Sequence, residues 1–341
     1  MTSTEPAQPL RIGILGAANI ARMFKNGAAP LRNVEIAAVA SRTLDKAKAF
    51  AAELGIPRAL GSYEALLADP AIEAVYIPLP NSMHAEWAIR AAEAGKHILC
   101  EKPLAMSAEE AKSMFAAAAK RGVILREAYP YMAQRHAAML RAWLAEGAIG
   151  KLRLIRSTFG VYFDDPANIR LSPALGGGAL YDAGSYAVSL VRLAAGRRPL
   201  RVHAVSCNDR NGVDLTTVAN LEFSDGLLAQ VSCSFAIGYH RHASIAGDKG
   251  VIETNYLNHP PMGGPVVLQI RKGIPATVPF EPVPVPEGNG FERETDSFAR
   301  LVRGDKAAWT GASPEESVDI MLTLDAIRAS AKSGRWENLA A

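Results

Sequence analysis

The first 127 residues alternate short, nearly uninterrupted apolar runs with longer amphipathic segments. Five apolar runs are typical of strands, at residues 11–15, 34–40, 74–78, 97–101 and 123–126. A parallel strand is buried on both faces and is therefore apolar at nearly every position, whereas the segments between these runs have helical spacing. The pattern predicts an α/β domain over residues 10–127, with a doubly wound parallel sheet.

After about residue 127 the pattern changes to longer runs in which apolar and polar residues alternate. Such alternation is typical of antiparallel strands with one exposed face. Strands are predicted at residues 151–163, 201–207, 217–223, 227–235 and 243–246, and helices at residues 133–146, 291–302 and 314–333. We predict an α+β domain over residues 128–336 on a large, open, mostly antiparallel sheet. Residues 260–290, rich in proline and glycine, are expected to form an irregular loop, and residues 1–9 a disordered tail.

Composition excludes several classes of protein. The net charge of +3 and the absence of a basic block argue against a nucleic-acid partner. No apolar run approaches the ~20 residues that a membrane helix needs, and the polar start lacks the features of a signal peptide, so we expect a cytoplasmic protein without a membrane partner. The cysteines Cys100, Cys207 and Cys233 show no C-x-x-C spacing. We expect buried thiols in a reducing compartment, and no metal site.

The turn after the first predicted strand carries the first sign of chemistry. Gly16, Ala18, Asn19, Ile20 and Ala21 fit a degenerate dinucleotide fingerprint, G-x-G-x-x-G/A, in which alanine replaces the second and third glycines. Small residues let a pyrophosphate approach the backbone and the helix N-terminus. The segment therefore predicts an NAD(P) site, and a tight strand–helix turn without a ligand is the alternative.

The end of the second predicted strand bears on which nucleotide is bound. An NAD site usually carries a carboxylate there for the ribose hydroxyls, but this chain has Ser41 and Arg42. A serine hydroxyl and a guanidinium both suit a 2′-phosphate. These residues favour NADP, with NAD as the second choice; otherwise Arg42 is a solvated loop residue.

Three longer motifs complete the pattern: VYIPLPNSMH at residues 75–84, AGKHILCEKPLA at residues 94–105 and GGGALYDAGSY at residues 176–186. They resemble motifs of the Gfo/Idh/MocA oxidoreductases, in the branch of glucose–fructose oxidoreductase, xylose dehydrogenases and dihydrodiol dehydrogenases. The resemblance extends over residues 10–336. It implies hydride transfer between NAD(P) and a CH–OH or C=O group of a carbohydrate, polyol or vicinal diol.

The resemblance also implies structural features and cofactor contacts. The open sheet of the second domain is expected to join subunits into a homodimer or homotetramer. The peptide bond between Lys102 and Pro103 is expected to be cis. Cofactor contacts are implied for a further set of residues: Pro78, Leu79, Asn81, His84, Glu101 and Lys102.

Three residues are implied to be catalytic. Tyr186 would exchange the proton, and the Lys102 cation would lower the phenol's ordinary pKa of about 10. Asp182 lies four residues before Tyr186, hence on the same face of a helix, where it would bind substrate hydroxyls and tune Lys102. Tyr162 and Arg170 are further candidates for substrate binding. The alternative roles are structural: Tyr186 as an aromatic residue on a helix surface, Asp182 as a helix cap and Lys102 as a surface lysine at a strand end.

The sequence departs from the family pattern at two positions. Met132 and Gln134 stand where many relatives have arginine and histidine, which predicts a less polar substrate pocket. Arg135 and His136 either compensate or cover a helix face, and His240 and His242 are further pocket candidates. A non-catalytic NAD(P)-binding sensor or interaction protein therefore remains an alternative, as does an enzyme that keeps its cofactor tightly bound, as glucose–fructose oxidoreductase does.

Overall fold

The computed structural model describes residues 8–258 and 265–339. Residues 1–7 of the predicted tail and residues 260–264 of the predicted loop lie outside the described residues. The described chain forms two sheets, one of six strands and one of nine. None of its described helices has both the length and the apolar character that a bilayer crossing requires.

The six-stranded sheet has the predicted parallel, doubly wound form. Its strands are β1 (Leu10–Leu15), β2 (Val34–Ala40), β3 (Ala59–Leu60), β4 (Ala74–Ile77), β5 (His97–Glu101) and β6 (Leu125–Ala128). They lie in the order β3-β2-β1-β4-β5-β6, and all their pairings are parallel. The strand order reverses between β1 and β4, so a crevice opens beyond the carboxyl ends of these strands.

Five helices within residues 8–128 flank this sheet: α1 (Asn19–Ala28), α2 (Leu44–Leu54), α3 (Tyr63–Leu67), α4 (His84–Glu93) and α5 (Ala108–Arg121). Side chains of Thr43, Ser62 and Ser107 accept hydrogen bonds from the first turns of α2, α3 and α5. The short elements β3 and α3 were not predicted, because two and five residues are too few to show a period.

The nine-stranded sheet confirms the predicted open, mostly antiparallel architecture. Its strands are β7 (Leu152–Tyr162), β8 (Arg201–Asn208), β9 (Asp214–Glu222), β10 (Leu228–Ser234), β11 (Ala236–Gly247), β12 (Gly250–Thr254), β13 (Leu268–Lys272), β14 (Glu281–Pro282) and β15 (Glu337–Asn338). The order is β14-β13-β12-β11-β7-β10-β9-β8-β15, and β7 pairs with β10 in parallel. The prediction of an irregular loop over residues 260–290 was wrong for β13 and β14. Leu268 and Ile270 of β13 alternate and are buried, but the strand is short and lies among prolines and glycines.

One face of this sheet packs against α7 (Ser185–Ala195) and α9 (Pro314–Ser333), and α6 (Arg135–Ala145) lies beside α7. The buried Arg192 Nε donates to Asp319 Oδ2 at 2.7 Å and ties α7 to α9. Ser313 and Glu316 form the capping box expected at the start of α9. The opposite face of the sheet is open.

The helix α8 (Gly290–Val302) packs on the first sheet, although its sequence position places it in the second predicted domain. Phe291 and Phe298 are buried in one cluster with Phe24 of α1 and Ile36 of β2. The cluster on this face of the first sheet therefore combines residues up to 128 with residues of α8.

Candidate active site

The turn between β1 and α1 has the geometry of an anion site. Gly16 has φ +120°, and a Cβ added there would lie 2.9 Å from Leu79 Cδ2, so this turn and the loop after β4 approach closely. Ala18 is the N-cap of α1, and no side chain caps the helix. The first turn also contains no acidic residue. Uncapped N–H groups at a positive helix end fit the pyrophosphate of a dinucleotide, with Asn19 and Ile20 in the first turn.

Ser41 and Arg42 follow β2 at the same edge of the sheet, where the adenosine ribose of a dinucleotide would lie. Ser41 is 3% exposed, and its N–H donates to the carbonyl of Leu60 at 3.1 Å, whereas Arg42 is exposed. Burial raises the pKa of the Tyr63 phenol, and the nearby Arg42 cation opposes that increase. An accessible guanidinium in this position fits a 2′-phosphate better than a bare ribose diol.

The loop after β4 connects the two halves of the molecule. Pro78 and Leu79 are buried, and Asn81 Nδ2 donates to the Gly176 carbonyl at 2.8 Å. His84 is fully buried, with its ring nitrogens 2.8 Å from the carbonyls of Leu79 and Pro103. The expected direct contact of His84 with the cofactor is therefore corrected. Its side chain holds two backbone segments in place and has no surface left for a ligand.

Glu101 and Lys102 lie at the carboxyl end of β5, and the Lys102–Pro103 peptide bond is cis, as expected. Tyr76 donates to Glu101 Oε1 at 2.5 Å. Burial raises the pKa of Glu101, and the Lys102 cation opposes this. Glu101 is only 6% exposed and already accepts a hydrogen bond from Tyr76, so its side chain stabilises the end of β5 from within the core.

Asp182 joins two cations at the mouth of the crevice. Lys102 Nζ donates to Asp182 Oδ1 at 2.6 Å and to the Asp182 carbonyl at 3.1 Å. Arg170 Nε donates to Asp182 Oδ2 at 2.7 Å. Burial alone would raise the pKa of Asp182, but Lys102 and Arg170 hold it well below its ordinary value. The carboxylate therefore stays ionised and fixes the position of Lys102.

The glycine run before Asp182 is closely packed. A Cβ added at Gly177 would lie 2.5 Å from the Arg170 carbonyl oxygen. Residues Leu180–Gly184 then form a π-helical turn before α7. The close approach at Gly177 brings Arg170 beside Asp182, and the turn directs Asp182 toward Lys102.

Tyr186 lies in the first turn of α7 and is 6% exposed. Lys102 Nζ lies 4.8 Å from the centroid of its ring. The hydroxyl, however, accepts a hydrogen bond from Asn258 Nδ2 at 2.9 Å. Burial raises the pKa of Tyr186 and Glu101 adds to the increase, whereas Arg241 and Asn258 oppose it. Asp182, which pairs with Lys102, also disfavours ionisation of the phenol, and the lowering of this pKa by Lys102 stays a prediction.

The alternation of side chains along β7 and β11 decides which of the remaining substrate-binding candidates face Tyr186. Phe159 of β7 packs against Tyr186 with ring centroids 5.6 Å apart, whereas Tyr162 is 61% exposed and lies on the other face of the sheet. Tyr162 therefore lies away from Tyr186 within this protomer, and its role as a substrate ligand stays a prediction. His240 and His242 also lie on the open face, and Arg241 between them is the residue that faces Tyr186.

Arg241 and Asn258 are site residues that sequence reasoning missed. For Arg241 a signal was present, because it falls in register with the inward-facing apolar positions Ala243 and Ile245. An arginine at an inward position of a half-buried strand is unusual and points to a specific partner. Asn258 follows β12 in an irregular segment, where no period could have placed it.

Met132 and Gln134, the two residues at which the sequence departs from the family pattern, are both buried. Met132 is 3% exposed and accepts a long contact of 3.9 Å from Arg141 Nη2. Gln134 Nε2 donates to the carbonyls of Asn258 and Gly288 at 2.7 and 2.8 Å. His136 is buried, and burial lowers its pKa to about 3, so it does not supply a polar group to an open pocket.

Two of the three thiols are buried, as expected, but Cys207 is exposed, which corrects the expectation for that residue. It lies near the end of β8 with its side chain outside the core. Among residues 8–258 and 265–339, no group of three histidine, cysteine or acidic side chains is arranged to hold a metal ion.

Comparison with known proteins identifies the family. Residues 10–129 match the oxidoreductase family with an NAD-binding Rossmann fold, and residues 137–253 match the GFO/IDH/MocA C-terminal domain. The chain is 39% identical over 333 residues to D-xylose 1-dehydrogenase (NADP(+)) 2 of Haloferax volcanii, covering 95% of this chain and 98% of that enzyme. It is 33% identical to dTDP-3,4-didehydro-2,6-dideoxy-alpha-D-glucose 3-reductase of Saccharopolyspora spinosa, covering 96% and 99%.

A solved structure shows the same architecture. The 3-ketoreductase of Actinomadura kijaniata, in complex with NADP and TDP-benzene, has a TM-score of 0.86 and 30% identity, covering 95% of this chain and 98% of that one. The Rossmann sheet and the uncapped first helix agree with this relationship. The chain therefore belongs to the Gfo/Idh/MocA family and is an NAD(P)-dependent oxidoreductase.

Proposed function

We propose that this protein is an NADP-dependent oxidoreductase that transfers hydride between the nicotinamide and a CH–OH or C=O group of a sugar, polyol or vicinal diol. The observation that carries the proposal is the convergence of Lys102, Asp182 and Tyr186 at the carboxyl edge of the Rossmann sheet. Relatives that act on xylose, on a nucleotide-linked keto sugar and on a dihydrodiol support the substrate class.

The side chains divide the work of moving a proton. A bound NADP supplies the hydride acceptor at nicotinamide C4. In the oxidative direction Tyr186 takes the hydroxyl proton as the substrate C–H bond breaks, and in the reductive direction it returns that proton to the carbonyl oxygen. Lys102, fixed by Asp182, stabilises the developing negative charge on the substrate oxygen. Asp182 and Arg170 offer an acceptor and donors to neighbouring hydroxyls.

The test is a screen of aldoses, polyols and dihydrodiols with NADP and NAD, followed by Tyr186→Phe with the best substrate. We expect kcat to fall at least ~100-fold, the contribution typical of a positioned acid–base group. Tyr181→Phe is the matched control, since this buried tyrosine of the same turn donates to the Met106 carbonyl at 2.8 Å. Equal activity of the two variants, or no hydride transfer with any member of the screen, would overturn the proposal.

The preference for NADP rests on Ser41 and Arg42 and on the absence of a carboxylate at the end of β2. A hydrogen bond to a charged group contributes about 1.5–3 kcal/mol. Arg42→Ala should therefore lower kcat/KM for NADP by about 10- to 100-fold and leave that for NAD nearly unchanged. Arg32→Ala, an exposed arginine before β2, is the control. An equal loss for both nucleotides would contradict this assignment.

We further propose that the open face of the nine-stranded sheet joins subunits into a homodimer or homotetramer. Val205, Val218 and Leu228 are 66%, 47% and 51% exposed there, at positions that alternate with buried residues. An exposed apolar sheet face of this kind marks an interaction surface. Leu228→Asp should reduce the mass measured by light scattering, whereas Ile274→Asp, at an 80% exposed position outside this face, should not. A monomeric native protein would refute the proposal.

A further inference from the structure

Arg241 is a buried cation whose environment consists mainly of aromatic rings. It is 7% exposed, and its guanidinium carbon lies 4.4, 4.5 and 4.7 Å from the ring centroids of Tyr186, Tyr256 and Phe159. Its Nε is buried without a hydrogen-bond partner. Within residues 8–258 and 265–339 it forms no salt bridge to a carboxylate. A buried charge without a counter-ion is costly, and aromatic faces offset only part of that cost.

Asn258 connects this cation to the Tyr186 hydroxyl. Arg241 Nη2 donates to Asn258 Oδ1 at 3.4 Å, and Asn258 Nδ2 donates to Tyr186 Oη at 2.9 Å. A guanidinium can only donate, so it fixes the orientation of the amide and directs the N–H donor toward the phenol oxygen. The hydroxyl proton of Tyr186 therefore points elsewhere.

Gln134 and α8 hold Asn258 in this position. The Asn258 carbonyl accepts from Gln134 Nε2 at 2.7 Å and from the Gly290 N–H at 3.1 Å. The same Gln134 amide also donates to the Gly288 carbonyl at 2.8 Å. Gln134 thus fixes the backbone of Asn258, the residue that contacts the phenol.

We propose that Arg241 and Asn258 stabilise the phenolate form of Tyr186, with Asn258 as a catalytic hydrogen-bond donor and Arg241 as the positioning cation behind it. Arg241 has no carboxylate partner among the described residues, and its counter-ion is the phenolate that accepts the substrate proton. This assignment rests on the proposed role of Tyr186. It adds a phenolate-stabilising group distinct from Lys102, whose ammonium is held by Asp182.

The phenol also faces other charged and titratable groups, and their effects differ in sign. Glu101 disfavours its ionisation, as does Asp182, whereas Arg241 favours it. Several elements contribute further charged and titratable groups around the Tyr186–Arg241 pair: Glu101, Lys102, Tyr129, Tyr131, His136, Arg170, Asp182 and Tyr256. A single substitution of Arg241 or Asn258 removes one contribution to the pKa of Tyr186 and leaves the other groups in place.

The experiment measures ionisation of the phenol directly. Tyr186 is replaced by 3-fluorotyrosine, whose phenol is more acidic than that of tyrosine, and its ¹⁹F resonance is titrated with pH in the full-length protein. Arg241→Met should move the midpoint to higher pH by about one unit or more, the size of shift that a lost neighbouring cation produces. Asn258→Leu should move it in the same direction. Arg241→Lys should retain most of the native midpoint, which separates charge from packing.

Controls and kinetics complete the test. Arg271→Met removes another arginine that lies over an aromatic ring, Phe280 at 5.0 Å, and should leave the midpoint unchanged. The acid limb of kcat/KM for oxidation should move with the fluorine midpoint in each variant. An unchanged midpoint in folded Arg241→Met protein, or an equal shift in Arg241→Lys, overturns the inference. If no substrate is found, the proposed function fails while the fluorine titration still decides this question.

Discussion

Asp182→Asn is the perturbation that most directly tests the arrangement around Lys102. The substitution removes one negative charge and leaves the side-chain volume nearly constant. In the native protein the carboxylate oxygens lie 2.6 Å from Lys102 Nζ and 2.7 Å from Arg170 Nε. The amide retains one oxygen acceptor and therefore keeps at most part of the two ionic contacts. Lys102 and Arg170 then lose the carboxylate that they share.

The magnitude follows from how much water reaches each partner. The Lys102 and Asp182 side chains are only 11% and 19% exposed, so water screens their pair little, and removing one partner of such a pair costs about 3–5 kcal/mol. Arg170 is 41% exposed, and its share is reduced by solvent to about 0–1 kcal/mol. Because the amide recovers one hydrogen bond, we expect the free energy of unfolding to fall by about 2–4 kcal/mol at pH 7.

The pH dependence gives a second, independent signature. The pKa of Asp182 is depressed in the folded protein, so its stabilising contribution is complete above the ordinary carboxyl pKa near 4. That contribution is lost as the pH falls below this value toward the folded-state pKa. The difference between native protein and variant should therefore be constant between pH 6 and 8 and should shrink below about pH 4.

Urea unfolding at several pH values measures the stability change, and initial rates with the best substrate measure the catalytic one. We expect kcat/KM to fall by about 100- to 1000-fold, because Lys102 loses the contact that fixes it beside the reacting oxygen. Asp164→Asn, at an exposed aspartate before Arg170, is the matched control. A pH-independent stability difference, or unchanged kcat/KM, would refute the reasoning.

Three further predictions concern other parts of the molecule. Gly177→Ala should lower the free energy of unfolding by about 1–3 kcal/mol, because its Cβ would meet the Arg170 carbonyl at 2.5 Å; Gly238→Ala, which meets nothing within 4 Å, should be neutral in the same urea titration. Native protein should expose one thiol to a thiol-reactive dye, at Cys207, and all three after denaturation; three reactive thiols in the native state would contradict the fold. Burial raises the pKa of Glu127 to about 7, so its protonated form is favoured by folding and stability is lost as the pH rises from about 4.5 through 7. Glu127→Gln should thus be more stable than native protein at pH 8 by about 1–3 kcal/mol and similar to it at pH 4, as urea midpoints at the two pH values would show.

The sequence predicted most of the fold because the strongest signals were periodic. Buried parallel strands read as continuous apolar runs, and the strands of the second sheet alternate over seven or more residues in β7 to β11. β3, β13 and β14 were missed because each has at most five residues, which is too short for a period to stand out. The packing of α8 on α1 could not be read from sequence, since an amphipathic helix does not specify which apolar surface covers it.

The site was predicted where motifs carried it and missed where only tertiary structure did. Lys102 and Asp182 belong to distinctive motifs, and they meet at 2.6 Å. Tyr162 was chosen by chemical type alone, and the alternation of β7 places its side chain on the open face, away from Tyr186. Asn258 contacts Tyr186 across 72 residues of sequence from a segment without regular structure, and no local pattern marks such a contact.

The return of α8 to the first sheet has a consequence for how the protein is made. Phe291 and Phe298 complete a core whose last strand ends at Ala128, so roughly 170 residues must be synthesised between the two parts. At about 5–20 residues per second, the ribosome needs on the order of 10–35 seconds for that stretch. During this interval the nascent nucleotide-binding sheet has one apolar flank uncovered. Chaperone binding to nascent chains should accordingly be strongest in this window and should end once α8 leaves the exit tunnel.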